Sequence, residues 1–146
     1  MKTIDYENAC SNIAERLAAR ETIVVATSEG GRVTARTVYC VSSGVDVLFI
    51  TSKAYTKYKQ ILSNPRVALC FDNVQIEAFA RVLGHPTEEG NAAILNSCKQ
   101  INARFMAAAK YKNSVLIRAE TALVEMWVNN GREYTDINKR TSWRVG

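Results

Sequence analysis

The sequence is short of several things that would each point to a function. No apolar run reaches the length of a membrane span. The opening residues, Met1 to Asn8, are polar and hold no signal-peptide apolar stretch, so a cytoplasmic protein is expected. Four cysteines are present, Cys10, Cys40, Cys70 and Cys98, but no two form a C-x-x-C pair. Neither a zinc site nor a redox dithiol is therefore indicated, no metal is expected, and each cysteine reads as a small buried hydrophobe. The net charge is +5, yet Lys and Arg never cluster in a run. A nucleic-acid partner thus ranks below an anionic cofactor or substrate. The single histidine, His85, follows a strand and precedes Pro86, which reads as a loop position. There is no repeat, linker or low-complexity segment, so residues 1–146 are expected to form one domain.

The pattern that is present alternates mostly with period two. A helix is predicted over 3–20, with Tyr6, Cys10, Ile13 and Leu17 on one face. Strands are predicted over 21–28, 33–42 and 45–52, the first two joined by Gly30-Gly31 and the third apolar on both faces. A helix follows from about Ala54 and stops at Asn64, because a residue before proline avoids helical geometry. Strands over 66–72 and 74–83 share a tight turn. A long helix is predicted from Thr87 to about Lys110, with Ile94, Cys98, Ile101 and Phe105 on one face. Strands over 113–120 and 122–128 come next, then a polar tail anchored by Tyr134 and Trp143. Seven strands in hairpin order imply a mainly β, antiparallel barrel with flanking helices.

One stretch carries chemistry. Arg36-Thr37-Val38 lies on a strand, Thr51-Ser52 ends the next, and Lys57 sits at a helix start. An arginine fork, a lysine point charge, hydroxyls and free helix N–H groups together suit a phosphate.

On these residues the chain resembles the FMN-binding split-barrel family, which includes pyridoxamine 5′-phosphate oxidase. The matching pieces are Arg36-Thr37-Val38, Phe49-Ile50-Thr51-Ser52, Lys57, Asn64-Pro65-Arg66-Val67-Ala68-Leu69, Val74-Gln75-Ile76-Glu77-Ala78 (where the family typically has Gly in place of Ala78) and Val124-Glu125-Met126-Trp127. The resemblance spans residues 10 to about 128 and rests on their order and spacing together. It implies a homodimer with FMN at the interface. Arg36 and Lys57 would grip the phosphate, with Thr51 and Ser52 adding hydroxyl bonds. Val38 would lie against the isoalloxazine and offer backbone groups to it, with Thr37 beside it. Asn73, or Gln75 after a small register change, falls where the oxidase has a glutamine near the flavin. Trp127 of the partner subunit would approach the ring.

The chain also departs from the family. The oxidase's Arg-Leu-His-Asp-Arg stretch is absent, and Val41 replaces the lysine five residues past the strand arginine. Both losses argue against vitamin B6 phosphate as substrate. The expectation is an FMN-dependent oxidoreductase acting on another small molecule, with a nicotinamide electron donor and no protein acid or base assigned to catalysis. A flavin-binding store or stress sensor is the alternative, and a basic barrel binding nucleic acid ranks last. A relative holding haem or a deazaflavin would differ in its spectrum.

Overall fold

The computed structural model describes residues 1–98 and 101–146. Its strands are β1 (Lys2–Ile4), β2 (Thr22–Glu29), β3 (Arg32–Ser43), β4 (Asp46–Ser52), β5 (Arg66–Phe71), β6 (Val74–Gly84), β7 (Ser114–Val128), β8 (Gly131–Asp136) and β9 (Thr141–Val145). The helices are α1 (Tyr6–Ala18), α2 (Thr56–Ser63), α3 (Glu89–Asn96) and α4 (Ala103–Ala107), the last running into a 3-10 turn over Ala108–Lys110.

Six strands close a ring through the antiparallel pairings β2–β3, β3–β4, β4–β7, β7–β6, β6–β5 and β5–β2. The barrel therefore has six strands rather than seven, because the two predicted over 113–128 are one. At the point of the expected break, Glu77 pairs with Leu123 and Ala78 with Thr121, so Ala122 is an extra residue on β7. A one-residue bulge bends a strand without ending it. The tail is more ordered than its polarity suggests. β8 and β9 extend the sheet from β7, and β1 closes that extension against β9. The anchors are as expected: the Tyr134 and Trp143 rings stack at 5.2 Å.

Local chemistry explains most boundaries. Gly30 and Gly31 adopt φ of 55° and 82°, the two positive values a two-residue hairpin needs. α1 starts at Tyr6 rather than residue 3, because the Asp5 carboxylate accepts from the Asn8 N–H at 2.7 Å. The long helix expected over 87–110 is interrupted. α3 ends at Asn96, and the Asn102 side chain caps a new helix by accepting from the Phe105 N–H. Lys99 and Gln100 lie outside the described residues. Its expected apolar face is nonetheless used, since Ile94, Cys98, Ile101 and Phe105 all join one cluster with Val41, Leu48, Leu95 and Leu116.

β4 separates two cores, as a strand apolar on both faces should. Val47 and Phe49 face the barrel interior, packed with Val25, Leu69, Ile76 and Ile117, while Leu48 faces the helices. Asp46, at the start of β4, ties it to β7. Its carboxylate meets Arg118 Nε at 2.9 Å and the Thr121 N–H at 3.0 Å. Both side chains are largely buried, so truncating one strands the other. Asp46→Ala is expected to cost about 2 kcal/mol of stability, read as a lower urea midpoint with an unchanged slope.

The ring is not sealed along its whole height. β3 pairs with β2 along nearly its full length but with β4 only over residues 40–43. Between the free half of β3 and the end of β4 the barrel splits, and α2 lies beyond that opening.

Candidate functional site

Arg36 stands in the free half of β3, opposite Val25 of β2. Thr34, Arg36, Val38 and Cys40 share one side of the strand, the side that faces the barrel interior. The Arg36 guanidinium is fixed by three hydrogen bonds. Nη1 donates to the Val25 carbonyl at 3.1 Å and to Thr27 Oγ1 at 2.9 Å, and Nη2 donates to Thr34 Oγ1. Guanidinium carries five N–H donors, so two remain for a ligand.

Lys57 enters from the first turn of α2. It is half-buried, and its ammonium is held below the usual lysine pKa by that burial and, secondarily, by the Arg36 charge. Arg36 is likewise lowered by burial. Among the described residues neither cation forms an ion pair, although seven other arginines do. Two like charges close together, partly desolvated and without a carboxylate, form a site that an anion would relieve.

Two more hydroxyl donors stand at the end of β4, just before α2. Thr51 ends the inward-facing register of β4, and its Oγ1 is buried without a hydrogen-bond partner. Ser52 Oγ already accepts from the Ala54 N–H at 3.2 Å, leaving its hydroxyl proton available. The eight-residue α2 has no side-chain cap at its N-terminus. Its leading N–H groups and positive dipole end are therefore free to meet an anion. The residues present fit a phosphate monoester: unpaired cations, an orphaned hydroxyl and an uncapped helix start.

The split itself holds a cavity of about 170 Å³ lined by Thr37, Val38, Tyr39, Ile50, Lys57, Arg104 and Phe105 among others. Strand geometry decides which backbone groups face it. The Cys40 N–H bonds to the Glu21 carbonyl, so even-numbered residues of β3 turn their backbone toward β2. The open edge is offered by Thr37 and Tyr39. Val38 instead contributes a buried side chain, 8% exposed, with its own amide directed at Ile23.

Thr37, Val38 and Lys57 thus line one cavity, with Arg36 on the same strand as Thr37 and Val38, and Thr51 and Ser52 at the end of β4. Asn73, Gln75 and Trp127 do not join them within one chain. They belong to β6, its turn and the end of β7, two to three strands round the barrel from β3. Asn73 is tied to Trp127 instead: its carbonyl accepts from the Trp127 N–H at 3.0 Å and its Nδ2 donates to the Trp127 carbonyl. The indole is half-exposed beneath the Arg132 guanidinium, 4.1 Å from the ring centroid. Gln75 points outward on β6.

Sequence reading missed the groups that hold Arg36. Thr27, Thr34 and Gln60 are polar side chains on inward registers, and that misplaced polarity was the available signal. Arg104, which the sequence offers only as one of several unordered cations beside Lys110, Lys112 and Arg132, donates to the Tyr39 hydroxyl at 3.2 Å at the cavity wall. Two other readings sharpen. Cys40 is a buried thiol raised to about 11 by desolvation, whereas Cys70 is exposed on the outer face of β5 and is no core residue. Val41 is fully buried in the second core, so position 41 faces neither solvent nor the split.

Comparison with known proteins agrees with this fold. The family profile described as pyridoxamine 5′-phosphate oxidase matches residues 11–128. No curated protein matches significantly. Among solved structures the chain is similar to a pyridoxamine 5′-phosphate oxidase-related, FMN-binding protein from Nostoc punctiforme, at 13% identity and TM-score 0.66, covering 98% of this chain and 97% of that one. It is similar to a FAD-binding protein from Mesorhizobium loti at 13% identity and TM-score 0.62, covering 99% and 98%. It is also similar to a heme-binding protein from Mycobacterium smegmatis at 15% identity and TM-score 0.69, covering 87% of this chain but 57% of that one. At such identities the structural likeness speaks for the fold alone. No helix among the described residues is long and apolar enough to cross a membrane. With more than three quarters of its length matched and the same barrel, the chain belongs to the pyridoxamine 5′-phosphate oxidase family.

Proposed function

We propose that this protein binds FMN, with the phosphate between Arg36 and Lys57 and the ring system along the open edge of β3, and that it acts as an oxidoreductase on a small molecule. The observation that carries the reading is the pair of partly buried cations with no counter-ion among the described residues, together with the unpartnered Thr51 hydroxyl. FMN supplies the electron-transfer chemistry when bound. The chain's part is to hold the phosphate, to offer backbone donors and acceptors from Thr37 and Tyr39, and to wall the split with Ile50, Phe105 and Arg104. Val41 makes pyridoxamine phosphate a poor candidate substrate, because a buried valine gives no cationic contact to its phosphate.

A flavin is favoured over haem by the state of His85. Nε2 is 2.8 Å from the Tyr111 carbonyl, which can only accept, so Nε2 carries the proton. Nδ1 then accepts from the Thr87 hydroxyl at 2.7 Å, with the Thr87 N–H also directed at it at 3.2 Å. The chain's single imidazole is thereby engaged at both ring nitrogens and would have to give up a hydrogen bond to hold a haem iron.

The reading includes a two-fold dimer. The outer face of β2, β5 and β6 is a shallow hollow of about 470 Å³ floored by Ala26 and Ala68 and rimmed by Val33 and Phe79, which are 69% and 41% exposed. Apolar surface of this kind favours burial against a second copy. That arrangement would let Asn73, Gln75 and Trp127 serve the partner's split. Sedimentation is expected to give twice the chain mass of 16.2 kDa; a monomer at micromolar concentration would remove those three residues from the site.

The function is tested by purification and by supplementation with FMN. The protein is expected to be yellow and to release FMN on heat denaturation. A colourless protein that takes up no added FMN would end the proposal. Steady nicotinamide consumption with an electron acceptor separates an enzyme from a flavin store.

A further inference from the structure

The network beneath Arg36 has an internal logic. Thr27 and Thr34 each accept one guanidinium N–H. Arginine can only donate, so each hydroxyl proton must point elsewhere. Both point to a single atom: Thr27 Oγ1 and Thr34 Oγ1 donate to Gln60 Oε1, the latter at 2.8 Å. The carbonyl oxygen is the end of the Gln60 amide that faces both threonines. Gln60 is 2% exposed, so water cannot take over its role.

We propose that Gln60 is a positioning residue for anion recognition: its carbonyl oxygen aligns two hydroxyls that hold the Arg36 guanidinium in one plane, with its remaining N–H groups turned to the ligand. Gln60 and Lys57 are three residues apart on α2 and share a face. One helix therefore delivers a charge to the anion site and the orientation of the other charge. Without the Gln60 acceptor, each hydroxyl can rotate its proton toward the guanidinium, and the fork loses its fixed plane. The anion is the phosphate of the proposed cofactor, so the inference rests on that reading for its ligand but not for its geometry.

The experiment uses two variants and two readouts. Riboflavin, which lacks the phosphate, is the control ligand. Gln60→Leu is expected to weaken FMN binding about tenfold and leave riboflavin binding unchanged. In the ligand-free protein, the Arg36 Nη–H resonances (identified by their loss in Arg36→Lys) are expected to be resolved in the wild type. They should merge in Gln60→Leu as the guanidinium rotates freely. Gln60→Glu keeps the acceptor but adds a charge that offsets Arg36. It is expected to keep the resonances resolved while lowering FMN affinity more than Gln60→Leu does, and it serves where Gln60→Leu fails to fold. Resolved resonances in folded Gln60→Leu, merged ones in Gln60→Glu, or equal losses for FMN and riboflavin would each overturn the proposal. If the wild type binds no FMN, the cofactor reading fails separately and the resonances still decide the role of Gln60.

Discussion

Arg36→Ala is expected to weaken FMN binding about 100-fold or more. The two guanidinium N–H groups left after the contacts to Val25, Thr27 and Thr34 are the donors available to a phosphate. Charge-assisted hydrogen bonds contribute about 1.5–3 kcal/mol each, so losing two removes at least 3 kcal/mol. At about 1.4 kcal/mol per decade this is two orders of magnitude. The loss should fall on the phosphate, so riboflavin should bind wild type and variant alike. Arg36→Lys keeps a charge without the fork, and should recover only part of the affinity. Isothermal titration with both ligands checks this. An Arg36→Ala protein that remains folded and binds FMN within threefold of the wild type would remove Arg36 from the phosphate site.

Lys57 gives the second large effect, with a pH signature. Its ammonium is depressed by burial first and by Arg36 second, and only the protonated form attracts a phosphate dianion. FMN affinity should therefore fall as pH rises through the lowered Lys57 pKa, earlier than an ordinary lysine would dictate. Bound phosphate favours the charged form, so binding in that alkaline range should take up a proton. Lys57→Met should abolish this alkaline limb and lower neutral-pH affinity by roughly 10- to 100-fold, the worth of one charge-assisted bond. The sign for stability is opposite. A lysine whose folded pKa lies below its unfolded value destabilises the ligand-free fold wherever it is charged, and the penalty fades as pH rises through the folded pKa. Lys57→Met should thus melt higher than wild type without ligand and gain less from added FMN. An unchanged pH profile in Lys57→Met would contradict the assignment.

The pattern of residues shows which parts of this fold can be read from sequence. β2 to β6 were legible because their apolar residues alternate or run continuously and the turns carry Gly-Gly, Ser-Gly or Asp-Asn. The break between α3 and α4 was not, since Ile94, Cys98, Ile101 and Phe105 serve one core whether or not a single helix carries them. Ala122 misled for a related reason: a bulge interrupts alternation without interrupting the strand. β8, β9 and β1 have little apolar content and owe their order to pairing with β7 and with each other, which no local window shows. In the candidate site, Arg36 and Lys57 stand out in the sequence through spacing and resemblance. Thr27, Thr34 and Gln60 were not, because they come from three separate elements and meet only through the register of β2 with β3 and the seat of α2. Asn73, Gln75 and Trp127 lie on β6, its turn and the end of β7, away from the split within one chain.

The central claim is that the split barrel holds a flavin by its phosphate. The most direct test is a fluorescence titration of the ligand-free wild-type protein with FMN and, separately, with riboflavin at one ionic strength. FMN is expected to bind at least 100-fold more tightly, in keeping with two or more charge-assisted contacts to its phosphate. Equal affinities, or no binding of either, would contradict it.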